Sequence, residues 1–398
     1  RLMFHRIPPV GNPISWSHPA PPPVLVTSEE QCLFFQSGTA ALAQALVIAK
    51  SAFKTDNPEV IVPGYACPDI ISAAVYAGVT PVLVDLEADR PYMSLPEIEN
   101  AITDNTVAII AINFLGIPER ISAIRKSLGD SDIILIEDSA QWYPDTREEK
   151  TIPEPCISKY YNGDMVILSF GKGKPVSLMG GGAVLIKHPK MISLAEQINT
   201  TEKTNSQEQN NRTTITLKTQ LLLIAYNTAI SNYGYWLLEL LPWIKLGETH
   251  YKPLDDIKLM DNNRLLLLSG NQQHYQQRPT TAQQTLKNML ANPALKLADL
   301  PEQCDTYQHQ RLLRYPILLP SSNARNKALK ALEHTGCGAS PLYPSILPNI
   351  ADVSGHIRTT SYLKNATNFA SRLITLPTHR GVSKSTVSTI QEALQFSE

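Results

Sequence analysis

The sequence is poor in the features that mark several common classes of protein. Charged residues make up 18% of its 398 residues, 35 basic against 36 acidic, and no long basic run offers a grip to nucleic acid. Cysteine is scarce and scattered. Cys32, Cys67, Cys156, Cys304 and Cys337 include no Cys-x-x-Cys pair, so neither a disulfide framework nor a zinc site is expected, and such a set suits a reducing cytoplasm. The opening RLMFHRIPPVGNPISW lacks the apolar core of a signal peptide. What is present is a hydrophobic fraction of 43%, which excludes wholesale disorder, on a chain too long for one ordinary core.

Long apolar runs are also rare, with one exception. LLLIAYNTAISNYGYWLLELLPWI (221–244) carries a single charge, Glu239, between Lys218 and Lys245. Its length matches a membrane span, but Asn, Ser, Thr, Gly, Tyr and Pro dilute it. A buried helical hairpin is the favoured reading. A helix lying on a membrane surface, with Trp236 and Trp243 at the interface, is the intermediate one.

From residue 31 to 187 strand-like and helix-like segments alternate. CLFFQ, EVIVP, DMVILSF and GAVLIK read as strands, and TPVLVDL, TVAIIAIN and DIILIED are apolar, β-branched runs, as in strands buried on both faces. Helix-like pieces such as SGTAALAQALVIAKSA and CPDIISAAVYAG separate them. The pattern predicts an α/β fold: a mostly parallel sheet with helices on both faces and ligands beyond the carboxyl ends of the strands. After the polar segment TTEKTNSQEQNNRTT, read as a loop, LMDNNRLLLLSGNQQHYQQR reads as a helix and RLLRYPILLP and SRLITLP as strands. The organisation expected is an N-terminal arm (1–30), a large domain (31–255) holding an apolar helical insertion near 217–246, and a smaller α/β domain (256–398).

SFGKGKPVSLMGGGAVL (169–185) sets two lysines in a glycine-rich turn between strands. It is not a nucleotide P-loop, because Pro175 follows Gly173-Lys174 where a magnesium-binding hydroxyl is needed. The dinucleotide pattern G-x-G-x-x-G fails there too. SGTAALAQAL (37–46) opens a helix with Ser37 or Thr39 as cap and Gly38 for close backbone approach, which suits an anion or an ordinary cap equally well. IEDSAQ (136–141) places Asp138 at the end of a buried strand, where a carboxylate needs a partner. Together these are what pyridoxal phosphate requires: helix-start amides for its phosphate, an acid for its ring nitrogen, and a lysine for its aldehyde.

The sequence resembles the DegT/DnrJ/EryC1/StrS aminotransferases, fold-type-I pyridoxal phosphate enzymes that act mainly on nucleotide-linked keto sugars. The resemblance rests on SGTAAL, VPGYACPDIISAAVYAGVTPVLVDLE, TVAIIAINFLG, IEDSAQ, SFGKGKPVSLMGGGAVL and, near the end, RLITLPTH (372–379). It implies a fold with an aspartate-aminotransferase-like large domain, a homodimer with sites at the subunit interface, and glutamate as amino donor. The family pattern S-F-x-x-x-K, counted from Ser169, implies that Lys174 is the reactive lysine and Lys172 a neighbour. By the same resemblance Ser169, Gly38 and Thr39 bind the cofactor phosphate, Asp138 faces the pyridine nitrogen and Gln141 its hydroxyl side. LMDNNRL is similar to the family's N-x-R-M segment, which makes Asn262 a phosphate contact from a second subunit.

Departures cluster on the substrate side. Where the family sets an aromatic residue over the ring, this chain reads Ala66-Cys67, leaving Tyr65 or Cys67 to pack there; Gly171 stands where His or Tyr is usual, and MGGG lacks the family's acid. Family dehydratases replace the lysine with histidine, so Lys174 points to transamination. Other readings are a non-catalytic binding protein, one attached to a membrane through 221–244, and an aminotransferase for a keto acid, its carboxylate held by Arg311, Arg314 or Arg372.

Overall fold

Runs such as EVIVP and TVAIIAI put valine and isoleucine on both faces of an extended chain, and only a sheet covered on both sides can bury them. In the computed structural model, which describes residues 6–16, 25–147, 156–202, 214–240, 250–308 and 310–395, these runs are inner strands. The strands are β1 (Gln31–Phe35), β2 (Glu59–Pro63), β3 (Thr80–Val84), β4 (Thr106–Ile112), β5 (Ile134–Asp138), β6 (Met165–Ser169), β7 (Gly182–Ile186), β8 (Ala298–Asp299), β9 (Arg314–Leu318), β10 (Arg358–Thr359) and β11 (Leu373–Pro377). Among the described residues the large sheet has the order β1-β7-β6-β5-β4-β2-β3-β10, and a second sheet has the order β11-β9-β8.

All neighbours from β6 to β10 in the large sheet pair in parallel; only β7 runs against both β6 and β1. The expected mostly parallel α/β sheet is therefore present. The carboxyl ends of β1, β2, β4, β5 and β6 consequently share one edge, and the start of β7 joins them there. Helices α1 (Gly38–Ser51), α2 (Asp69–Ala77), α3 (Leu95–Ala101) and α4 (Ile121–Leu128) link the strands β1 to β5. α1 is buried along most of its length, and its alanines at 40, 41, 43, 45 and 49 let it lie close against the sheet. β10 was not foreseen: two residues are too few to carry a period, yet they extend the sheet beside β3.

Beyond β7 come α5 (Pro189–Glu202), α6 (Leu217–Ala229), α7 (Asn232–Glu239), α8 (Asn262–Gln277), α9 (Thr281–Leu290), α10 (Ser322–Thr335), α11 (Lys364–Arg372) and α12 (Lys384–Gln395). α5 takes in the start of the segment read as a polar loop, whose residues 203–213 lie outside the described set. α10 ends at Gly336, φ 66°, the glycine stop that its sequence signals.

The apolar stretch does form a helical hairpin, α6 and α7, but it is not buried. Leu223 is fully buried, whereas Leu217, Leu221, Leu222, Ile224, Tyr233, Leu237 and Leu240 are exposed. Helix geometry explains this: successive residues point about 100° apart, so the run Leu221 to Ile224 cannot all face one neighbour. No helix among the described residues is long and apolar enough to cross a membrane, and Trp243 lies outside them. Leu223→Ala is expected to cost about 2–5 kcal/mol in denaturant unfolding. Leu222→Ala should stay within about 0.5 kcal/mol, and similar losses at both positions would contradict this docking.

The arm is held by side chains that bind its backbone. Asn227 pairs with the amide and carbonyl of Ile14 (2.8 and 2.9 Å), and Asn271 does the same for Ser15 (2.8 Å each). His379 Nε2 meets Pro8 O at 2.9 Å. The arm thereby reaches the lysine loop, where Val10 lies over Gly173.

Candidate active site

β6 ends at Ser169, and the chain turns through residues 170–181 before returning as β7. Phe170 pins the neck of this loop: its amide donates to Gly181 O, and its carbonyl accepts from Leu178 N and Gly180 N. Gly173, Gly180 and Gly181 take positive φ (74°, 157° and 98°), which glycine adopts without strain. Lys172 is exposed, while Lys174 is half-buried and lines a cavity with about 480 Å³ of empty space. Tyr65, Cys67, Asp138, Gln141 and Tyr343 line the same cavity.

Asp138 is the last residue of β5 and is buried, its Oδ1 accepting from Ala140 N at 3.0 Å. Burial pushes its carboxyl above the usual range, while the Ala140 amide and the Lys174 ammonium pull it back. Gln141 is fixed at both ends: Oε1 accepts from Leu115 N (3.0 Å) and Nε2 donates to the Tyr343 hydroxyl (2.7 Å).

The two residues suggested for the cofactor ring differ in setting. Tyr65 packs edge-on to Tyr343 and Phe369 and donates its hydroxyl to Tyr343 O at 3.1 Å, so its ring is held in the wall. Cys67 borders the cavity, and burial pushes its thiol up to about 12, leaving a neutral sulfur surface. Tyr343 itself escaped notice in the sequence. The only signal was a Tyr-Pro pair in an otherwise irregular segment.

Gly38, Thr39 and Ser169 stand just outside this cavity and form a cradle. Ser37 caps α1, its Oγ accepting from Ala40 N at 3.1 Å, which leaves the Gly38 and Thr39 amides outside the cap. A Cβ on Gly38 would fall 2.8 Å from Ser169 Oγ, and one on Gly182 would fall 2.5 Å from Ser37 O. A Cβ on Gly171 would meet Ser169 Oγ at 3.6 Å and Lys174 Cγ at 3.7 Å, so cradle and lysine adjoin. Amides, a hydroxyl and a helix N-terminus suit a phosphate, and Lys174 and Asp138 suit the aldehyde and ring nitrogen of pyridoxal phosphate. Gly38→Ala should therefore weaken cofactor affinity about tenfold or more, by the 1–3 kcal/mol that overpacking costs. Titration of the cofactor into apoprotein checks this, and unchanged affinity would count against the cradle.

Asn262 is not among the residues lining the cavity. It opens α8, whose Arg264 and neighbouring Met260 pack against Gly180 and Gly181. The arginines considered for a substrate carboxylate also lie elsewhere. Arg311 pairs with Asp145 (2.8 Å), Arg314 donates to Gly338 O and Thr375 O, and Arg372 binds Leu319 O and Asp89. None of them lines the cavity of Lys174.

Among solved structures the fold recurs in DesV of S. venezuelae (19% identity, 92% of this chain and 85% of that one, TM-score 0.63). It recurs in a putative sugar aminotransferase of Streptococcus pneumoniae in its PMP form (19% identity, 92% and 87%, TM-score 0.62). A variant of GDP-4-keto-6-deoxymannose-3-dehydratase with bound GDP-perosamine shares it as well (15% identity, 91% and 88%, TM-score 0.63). The model of the DegT/DnrJ/EryC1/StrS aminotransferase family matches residues 26–234 and 266–395, which takes in Gly38, Asp138, Ser169 and Lys174 and leaves out Asn262. With most of its length so matched, the chain belongs to the DegT/DnrJ/EryC1/StrS aminotransferase family and is a pyridoxal phosphate-dependent aminotransferase.

Proposed function

We propose that the protein transfers the amino group of glutamate to a nucleotide-linked keto sugar, in the cytoplasmic synthesis of amino sugars for a surface polysaccharide or lipopolysaccharide. The observation that carries the chemistry is the meeting of Lys174 and Asp138 in one cavity, with the Gly38–Ser169 cradle adjoining across Gly171. Support for a sugar comes from relatives described as sugar aminotransferases or holding a nucleotide-linked sugar. The exposed apolar face of α6 and α7 suits a peripheral membrane contact. A homodimer is part of the reading, with Asn262 serving the neighbouring subunit's site rather than its own.

When bound, pyridoxal phosphate supplies an electron sink that eases ionisation of the C–H bond beside the transferred nitrogen. Lys174 would take that proton at Nζ and return it to the carbon on the far side of the transferred nitrogen, as general base and then acid. Asp138 holds the proton on the ring nitrogen. Gly38, Thr39 and Ser169 bind the phosphate, and Gln141, clamped by Leu115 and Tyr343, orients the hydroxyl side. Cys67 offers a neutral, polarisable sulfur contact, and the Tyr65–Phe114–Phe369 wall keeps water out.

Two measurements test the proposal. Purified protein should show the visible absorbance of bound cofactor, and glutamate should discharge it. A screen of glutamate-dependent amination should then favour nucleotide-linked keto sugars over keto acids. Amination of keto acids alone would sink the sugar assignment, and no response to glutamate would sink the donor.

A further inference from the structure

A second cavity adjoins the lysine loop at Pro175, the residue after Lys174. It holds about 520 Å³ of empty space and shares no lining residue with the cavity of Lys174. Arg278, Arg311 and Arg380 line it, with Asn12 and Thr280 as further polar groups.

The charge in this cavity is unbalanced. Arg311 is answered by Asp145 at 2.8 Å and donates to Gln276 O at 2.9 Å, but Asp145 is shared with Arg147 at 2.7 Å. Arg278 pairs with no acid among the described residues. Its guanidinium lies over the Tyr275 ring, 5.3 Å from the centroid, and its buried Nε has no hydrogen-bond partner. Arg311 lies over the same ring, also at 5.3 Å. Arg380 is exposed and likewise pairs with no acid among the described residues. Burial and the nearby Arg311 and Arg380 push Arg278 down to about 10, where it is still charged at neutral pH. His379 adds nothing to the balance: burial and the surrounding arginines hold it near 4, so its ring is neutral.

Helix α9 begins here. Thr280 is its N-cap residue and makes no side-chain cap, and Thr280 and Gln283 bring the positive end of the helix to the cavity wall. A desolvated cation without a counter-charge is costly unless an anion supplies one. We propose that this cavity is an oxyanion site, taking a phosphoryl or carboxylate group of a small-molecule ligand. Guanidinium groups bind either oxyanion in a bidentate fork. The site is separate from the cradle of Gly38 and Ser169. If the aminotransferase acts on an anionic substrate, it sets a charged handle beside the loop of Lys174, although the site itself does not depend on that reading.

The test is calorimetric titration of cofactor-loaded protein with inorganic pyrophosphate and, separately, with glutarate. At least one should bind saturably, and affinity should fall about tenfold or more in Arg278→Gln and in Arg380→Gln, as loss of a charged hydrogen bond implies. Arg380 is exposed, so its variant should fold even if the other does not. Tighter binding of pyrophosphate identifies a phosphoryl ligand, and tighter binding of glutarate a carboxylate. Failure of both anions to bind, or binding unchanged in both variants, overturns the site. Binding that survives the arginine changes but is lost in Ser169→Ala places the anion in the cradle and overturns it equally. Visible cofactor absorbance, recorded on the same samples, reports separately on the aminotransferase assignment.

Discussion

Lys174→Ala should lower amino transfer by roughly 10³-fold or more, within the 10²–10⁴ that a positioned general base supplies plus the loss of covalent catalysis. Lys172→Ala should change it less than about twofold, because surface substitutions away from a site cost little. The two lysines share a loop and a local sequence, so the contrast tests placement rather than composition. Lys172 is exposed and Lys174 faces Asp138, Cys67 and Gln141 in the cavity. A structural explanation for a Lys174 defect is separable, since an added primary amine should restore part of the activity only where the missing group is a base. Equal losses at both positions would place the chemistry elsewhere.

Much of this site was legible in the sequence because it depends on short-range order. Strands β2, β4 and β5 announce themselves by β-branched runs, and their parallel pairing follows from the helices between them. Ser37-Gly38 at the start of α1 and Asp138 at the end of β5 are then brought to one edge by topology alone. The S-F-x-x-x-K pattern of the family it resembles, counted from Ser169, points to Lys174 rather than Lys172. What stayed hidden depends on long-range packing. Tyr343 joins the cavity wall through a hydrogen bond to Gln141, 202 residues earlier, and nothing in either local sequence specifies that contact. The arginine cavity draws on the arm, the lysine loop, the end of α8 and the segment after β11, so no single stretch could suggest it. Exposure of the α6–α7 hairpin was missed for a related reason. Composition records that leucines are abundant but not which of them find a neighbour.

Asp138→Asn is the second large effect expected, a fall in turnover on the order of 10²–10³, comparable to removing one preorganised electrostatic contact in a buried site. The substitution keeps shape and preserves the acceptor for Ala140 N, which Asp138 Oδ1 now holds at 3.0 Å. It removes only the negative charge that holds a proton on the cofactor's ring nitrogen. Stability distinguishes this from misfolding. Burial raises the Asp138 carboxyl above its ordinary value, so without cofactor the folded protein holds this proton over a pH range where the unfolded chain has released it. The group's contribution to stability is therefore complete below the unfolded pKa and is lost as pH rises through the folded one. Asparagine has no such dependence, and the cofactor-free variant should be at least as stable as wild type at neutral pH, with a flatter stability profile above pH 4 or so, the ordinary aspartate range. Cofactor binding should reverse the order, because the protonated ring supplies a cation that only the aspartate can answer. Thermal unfolding of both proteins with and without cofactor measures all four states. An apoprotein destabilised by the change would mean that Asp138 serves the fold, and full turnover in the variant would mean that the ring nitrogen has another partner.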